Sequence, residues 1–183
     1  MDTFSPADQA LFEIDAGIAK HGFHVTAVFG GDDGPLWAYT VGLLETYGHP
    51  ELITFGLPPQ IAHGVIHAIV EQSREGTQHP LGREHPFDVD GIPVCLLPVL
   101  DEYWLYPCDY LLGCSHYYGA KGAKVELRAL QLVWSDENGR LPWEPQFQRK
   151  FAGDQPLLDE SGHYTEPDTM FCCDSDGDYC EWS

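Results

Sequence analysis

The chain has 183 residues, a length that suits one domain with a short extension and is enough to bury a core. Its 29 acidic residues face nine basic ones, a formal net charge of −20, and such a surface repels nucleic-acid phosphates and anionic lipid headgroups. No stretch approaches the roughly 20 apolar residues that span a membrane. Residues 1–10 have neither the basic nor the apolar region of a secretory signal. We therefore expect a cytoplasmic protein that binds neither nucleic acid nor membranes and keeps its six cysteines as thiols.

The first half of the chain alternates between helical and strand patterns. Residues 6–20 are predicted to form an amphipathic helix, since Leu11, Ile14 and Ile18 recur at helical spacing and Ser5 can cap the helix. Two runs rich in β-formers, 23–29 and 36–43, flank a glycine-rich turn and predict a hairpin, and 52–56 predicts another strand. In the hairpin, Trp37, Tyr39 and Val41 share one face of a strand, and Ala38, Thr40 and Gly42 share the other.

A second helix is predicted to begin at Pro58 and Pro59 and to end near Gly76. Its apolar stripe is expected to comprise Ile61, Val65, Ala68, Ile69 and Gln72. Residues 77–91 have the composition of a loop, and residues 101–118 are aromatic and resist assignment.

The second half contributes two further strands. Residues 92–100 form an apolar run in which Pro93 and Pro98 favour an edge position at its ends. Residues 124–134 give the clearest long strand. From residue 151 onward there are nine acidic residues and no lysine or arginine, which separates a domain over 1–150 from an acidic extension over 151–183.

This order of elements has no regular βαβ alternation, so it predicts an α+β fold. We expect a mainly antiparallel sheet with two flanking helices, and the sheet could curl into a small or split barrel.

Two blocks of sequence carry a family resemblance. The first joins WAYTVGL at 37–43, GHPELI at 48–53 and FGLP at 55–58; the second joins LQLVW at 130–134 with Asp136, Gly139-Arg140 and Pro142-Trp143. In this order they resemble a bacterial family catalogued as domain of unknown function 4262, over roughly residues 20–148. That resemblance implies no activity, and the acidic extension lies outside it.

The first block is also similar to flavin-binding split barrels of the flavin-reductase type. This likeness implies a flavin that faces Tyr39, Thr40 and Gly42, with His49 at the mouth of the site. The chain departs from those proteins because it has no cluster of arginine or lysine to hold a flavin phosphate.

The same residues have a purely structural interpretation, which we favour. The small side chains of the 37–43 strand would pack in a sheet, with Gly42 at a bulge or a helix contact. His49 precedes a proline and would support a loop or the start of a helix, and the later aromatic residues would pack in the core. The candidate ligand-binding residues are accordingly Trp37, Tyr39, Thr40, Gly42, His49, Tyr117 and Tyr118.

Metal and thiol chemistry have three candidate locations. In the tail, Cys172, Cys173 and Cys180 could bind zinc with His163 as a fourth ligand, although their spacing matches no known finger. His63 and His67 share a helix face at a spacing that can chelate a metal, but a solvated surface is the simpler expectation. Cys114 and His116 would point the same way on a strand, where a thiol–imidazole pair could form, but chance co-occurrence is the simpler account.

The sequence supports three hypotheses of function. The first is an acidic interaction protein that binds a basic protein, for example to neutralise it, because the acidic excess is large and no catalytic motif is complete. The second is a flavin- or other cofactor-binding redox domain. The third is zinc binding through the tail cysteines. Whether the chain is an enzyme is left open.

Overall fold

A computed structural model describes residues 6–29, 35–103, 110–122, 127–148 and 155–159. Four helices and six strands lie in these ranges, together with a short 3-10 helix over Asp101–Tyr103. The elements in chain order are α1 (Pro6–His21), β1 (His24–Val28), β2 (Trp37–Val41), α2 (Leu43–Tyr47), β3 (Glu51–Phe55), α3 (Pro59–Arg74), β4 (Phe87–Val89), β5 (Ile92–Pro98), α4 (Leu112–Ala120) and β6 (Ala129–Trp134).

The six strands form one sheet in the order β1-β2-β3-β6-β5-β4. Neighbours are antiparallel except β3 and β6, which run parallel from the pair Glu51–Ala129 to the pair Thr54–Leu132. The predicted α+β fold with a mainly antiparallel sheet is thus confirmed. The prediction that the sheet could curl into a barrel is wrong. A closed barrel would require β1 to pair with β4, and these two strands lie at opposite edges of an open sheet.

Helices cover both faces of the sheet. On one face α3 packs through Ala62, Val65, Ile66, Ile69 and Val70 against alternate residues of the strands. On the other face, α1 and α4 cover β2 and β3, while Leu141, Trp143 and Leu157 pack against β5 and β6. The central strands are therefore buried on both sides, and every residue of β3 and of β6 is buried.

The helices predicted at 6–20 and from Pro59 are confirmed, although Ser5 lies outside the described residues. Ile14 is buried and faces the sheet as its spacing indicates. In α3 the stripe is rotated by about one position, because Ile61 is 46% exposed and Ala62 is buried. In the described part of the chain, none of the helices is long and apolar enough to cross a membrane.

The two prolines of β5 lie near its ends, but the strand is interior to the sheet. Pro93 is the second residue and Pro98 the last, so their missing N–H groups interrupt little of the pairing with β4 and β6. The expected loop over 77–91 contains the short strand β4, and α4 begins within the stretch 101–118 that resisted assignment. Of the long strand predicted over 124–134, the structure shows β6 over Ala129–Trp134.

Candidate functional site

A fully buried carboxylate lies at the amino end of β3. Glu51 is 0% exposed, and its Oε1 accepts hydrogen bonds from the amides of Gly42 (2.9 Å) and Leu44 (3.2 Å) and from the Tyr118 hydroxyl (2.6 Å). Its Oε2 accepts the Thr40 hydroxyl at 2.6 Å. A carboxylate with four donors around it is satisfied without water, so Glu51 joins β2, β3, α2 and α4.

Thr40 and Cys114 extend this network. The Thr40 hydroxyl accepts the amide of Leu52 at 2.8 Å while donating to Glu51. The Cys114 thiol lies 3.1 Å from the Thr40 carbonyl oxygen. Burial, followed by the charge of Glu51, raises the pKa of Tyr118, so its hydroxyl keeps its proton and remains a donor.

Tyr117 belongs to a second, more exposed cluster at the end of α4. Its hydroxyl donates to Glu45 Oε2 at 2.9 Å, and Lys121 donates to that hydroxyl. Lys121 also lies 3.3 Å from Glu45 and 3.7 Å from Asp15. This cluster joins α1, α2 and α4 at the surface.

The other residues predicted from the first block have partners within the protein. The indole of Trp37 donates to the Tyr110 carbonyl at 3.1 Å, and the Tyr39 hydroxyl accepts the Gly113 amide at 3.0 Å. A Cβ on Gly42 would lie 2.6 Å from Ile18, so this glycine marks a close contact with α1, in line with the packing interpretation.

His49 lies apart from this group. His49 does not begin a helix, because Glu51 starts β3 two residues later. The Nδ1 of His49 donates to the Pro50 carbonyl at 2.6 Å. With Tyr47, Ser73 and Arg74 it lines a cavity of about 350 Å³ between α2 and the end of α3. The structure thus brings Thr40, Gly42 and Tyr118 together and leaves His49 elsewhere.

The strand geometry that would have allowed a Cys114–His116 pair is absent. Both residues lie on α4 rather than on a strand, so two positions apart they point to different sides. Cys114 is buried, whereas His116 is exposed.

The carboxyl edge of the parallel strand pair carries an open pocket. Leu57, after β3, and Trp134, at the end of β6, line a cavity of about 330 Å³ with Ile92 and Pro93 of β5. The Trp134 indole donates to the Phe55 carbonyl at 2.7 Å, which fixes the ring. Ligand sites of sheets with parallel strands often lie at such carboxyl ends.

Acidic residues border this pocket. Asp136 and Glu137 line it, and Asp90 is an exposed residue next to the lining Gly91. Burial alone would raise the pKa of Asp136, but backbone amides donating from Arg140, Gln148 and Asn138 outweigh burial and hold this pKa below its ordinary value. Asp136 therefore stays charged near neutral pH.

Sequence reasoning missed both Glu51 and this pocket. The signal that could have identified Glu51 is an acid at the first position of the apolar strand ELITF. A carboxylate buried with such a strand requires several hydrogen-bond donors around it. The pocket brings together residues 57, 91–93, 134–137 and 139, whose proximity depends on the strand order.

The predicted zinc ligands His163, Cys172, Cys173 and Cys180 lie outside the described residues. Among the described residues, no group of three or more His, Cys, Asp or Glu is arranged to hold a metal ion. Flavin binding and zinc binding by the tail stay predictions.

The described structure defines an α+β class of protein: an open six-stranded sheet between helices, with a closed polar network at one end of β3 and a pocket at the other. The profile of the domain of unknown function 4262 (DUF4262) matches residues 17–148, and the chain belongs to this family. Searches of curated proteins and of solved structures give no significant match.

Proposed function

We propose that this protein binds a basic protein, and that the pocket at the carboxyl edge of β3 and β6 receives a lysine or arginine side chain of that partner. The observation that supports this most directly is the pocket's composition. Its floor is apolar, from Leu57, Ile92 and Trp134, and its ionisable lining residues are the acids Asp136 and Glu137.

This composition suits a long basic side chain. The aliphatic part of a lysine or arginine would lie on the apolar floor, and its charged end would reach the exposed carboxylate of Glu137, with the buried charge of Asp136 nearby. Aromatic and apolar pockets bordered by charge are typical centres of protein interfaces.

The charge of the whole described surface supports the same partner. Among the described residues whose exposure is known, eleven acids but only four bases are exposed: Asp8, Glu13, Asp15, Glu45, Glu71, Glu75, Glu84, Asp88, Asp90, Asp101 and Glu137 against Lys20, Arg74, Lys121 and Arg128. A field of one sign accelerates association with a partner of opposite charge and weakens as salt is added.

Site-specific photo-crosslinking tests the proposal. A photoreactive amino acid at Glu137, in the full chain expressed in its native cells, should capture a discrete partner with an isoelectric point above about 9. The same substitution at Glu75, an exposed acid after α3, is the matched control and should not capture it.

Binding of the captured partner is then measured directly. Glu137→Lys should weaken it at least about tenfold, or 1.4 kcal/mol, and Glu75→Lys should change it much less. Capture of a neutral or acidic protein at Glu137, or equal effects of the two lysine variants, would refute the proposed role of the pocket.

A further inference from the structure

Three histidine side chains meet on the surface where the end of α1 lies beside α3. The ring centroids of His63 and His67 are 4.1 Å apart with 30° between the planes. The His21 ring lies 6.5 Å from that of His67, at 83°. His21 and His63 are exposed and His67 is half-buried, so the cluster is open to solvent.

The backbone beneath the cluster is well supported. His63 and His67 are one turn apart in the middle of the 16-residue α3. Phe23 packs against the His67 ring at 4.7 Å. The carbonyl of His21 accepts the Tyr47 hydroxyl at 3.2 Å, which holds the end of α1 while leaving the His21 side chain exposed.

The spacing of the two histidines on α3 suits metal chelation. Neutral imidazole is the ligand form of histidine. Two imidazoles one helical turn apart are an established chelating pair for zinc-like ions.

We propose that His63 and His67 chelate a divalent transition-metal ion of the zinc class, with His21 as a third ligand and water completing the coordination. The three rings are not yet arranged around one position, so the His21 side chain must rotate toward the α3 pair. A set of imidazoles favours zinc, nickel or copper over magnesium or calcium. This site is independent of the pocket at the carboxyl edge of the sheet and of the cysteines in the tail.

Calorimetric titration with zinc chloride tests the proposal on the full chain carrying Cys172→Ser, Cys173→Ser and Cys180→Ser, so that tail thiolates contribute nothing. We expect one ion per chain. His63→Ala and His67→Ala should each weaken binding by at least about tenfold, corresponding to 1.4 kcal/mol, and His21→Ala by less. His116→Ala, which removes an exposed histidine of α4, should leave the affinity unchanged.

Two further measurements keep the result interpretable. His63 is exposed, so His63→Ala should retain the circular dichroism spectrum even if the half-buried His67 does not tolerate replacement. Zinc should shift the imidazole NMR signals of His63 and His67 before that of His116. Absence of binding to the serine variant, or equal affinities of His63→Ala and His116→Ala, would overturn the proposal.

Discussion

Replacing Glu51 by alanine should cause a large loss of stability, because its carboxylate is the shared acceptor of three buried donors and one part-buried donor. The hydroxyls of Thr40 and Tyr118 donate to it at 2.6 Å, and the amides of Gly42 and Leu44 at 2.9 and 3.2 Å. Alanine leaves all four without this partner. Burial prevents bulk water from replacing it, since Glu51 is 0% exposed.

The magnitude follows from the number of orphaned donors. An unsatisfied buried polar group costs about 1–3 kcal/mol, and the space left by the side chain can admit a water that restores part of the bonding. At the lower end of that range, the three buried donors amount to about 3 kcal/mol, a large share of the roughly 5–15 kcal/mol typical of a folded domain.

Glu51→Gln should be much milder, for a specific geometric reason. Three donors converge on Oε1, which an amide oxygen can replace, while Oε2 receives Thr40 alone. The Thr40 hydroxyl can turn and accept from the glutamine NH₂ group. We expect a loss of about 1–2 kcal/mol, the scale of one weakened hydrogen bond to a charged group.

Urea denaturation followed by circular dichroism would measure these differences as changes in midpoint at constant slope. Glu75→Ala is the matched control, because Glu75 is exposed and its replacement should stay within about 0.5 kcal/mol of the wild type. A Glu51→Ala protein within about 1 kcal/mol of wild type, or one no less stable than Glu51→Gln, would refute this account of the network.

Three other measurements check separate features. Gly42→Ala should destabilise the protein by about 1–3 kcal/mol, because φ of Gly42 is +102° and the new Cβ would lie 2.6 Å from Ile18. Gly64→Ala, in open space on α3, should instead stabilise it by up to about 1 kcal/mol. Equal urea midpoints for the two variants would contradict this expectation. Burial raises the pKa of the Cys95 thiol to about 11. After a brief iodoacetamide pulse near pH 8, peptide mapping should therefore find Cys95 unlabelled in the folded protein and labelled once urea unfolds the chain. Rapid labelling of Cys95 in the folded protein would contradict the raised pKa. Burial lowers the pKa of His67 below 6.5, so as the pH falls His67 takes up a proton in the unfolded chain before it does in the folded protein, and the free energy of unfolding should decrease as the pH drops through 6.5. The variant His67→Gln should show a smaller decrease between about pH 7.5 and 5.5. An unchanged pH profile of stability would argue against a lowered pKa.

The local spacing of hydrophobic residues was sufficient to predict those helices and strands that bury one face. The helix α1 was predicted nearly to its ends because Ile14 and Ile18 recur at helical spacing, and the β1–β2 hairpin because a glycine-rich turn separates two runs of β-formers. The stripe of α3 was misplaced by about one position. Ile61 is apolar yet 46% exposed, and hydrophobicity alone cannot show which apolar residue a neighbouring sheet will cover.

The features that sequence patterns could not predict depend on the pairing of strands that are far apart in the chain. The partnership of β3 with β6 joins segments nearly 80 positions apart, as in the pair Thr54–Leu132, and no local signal specifies it. The position of β5 likewise depends on its pairing with both β6 and β4, and the sheet is open because β1 and β4 form its two edges. Glu51 shows the limit at the level of a single residue, since its four donors come from β2, α2 and α4 and only the assembled fold brings them together.

The two ends of β3 therefore differ in what they can do. Five residues of strand separate them by roughly 16 Å. At the amino end the polar atoms of Glu51 are consumed by internal partners, so a ligand could bind there only by breaking hydrogen bonds that hold the fold. At the carboxyl end Trp134 leaves an apolar surface open beneath acidic side chains. Because Glu137 is exposed, its replacement can change the pocket at a lower cost to the fold than replacement of Glu51, which is why we propose recognition at the pocket and assign stability to the buried carboxylate.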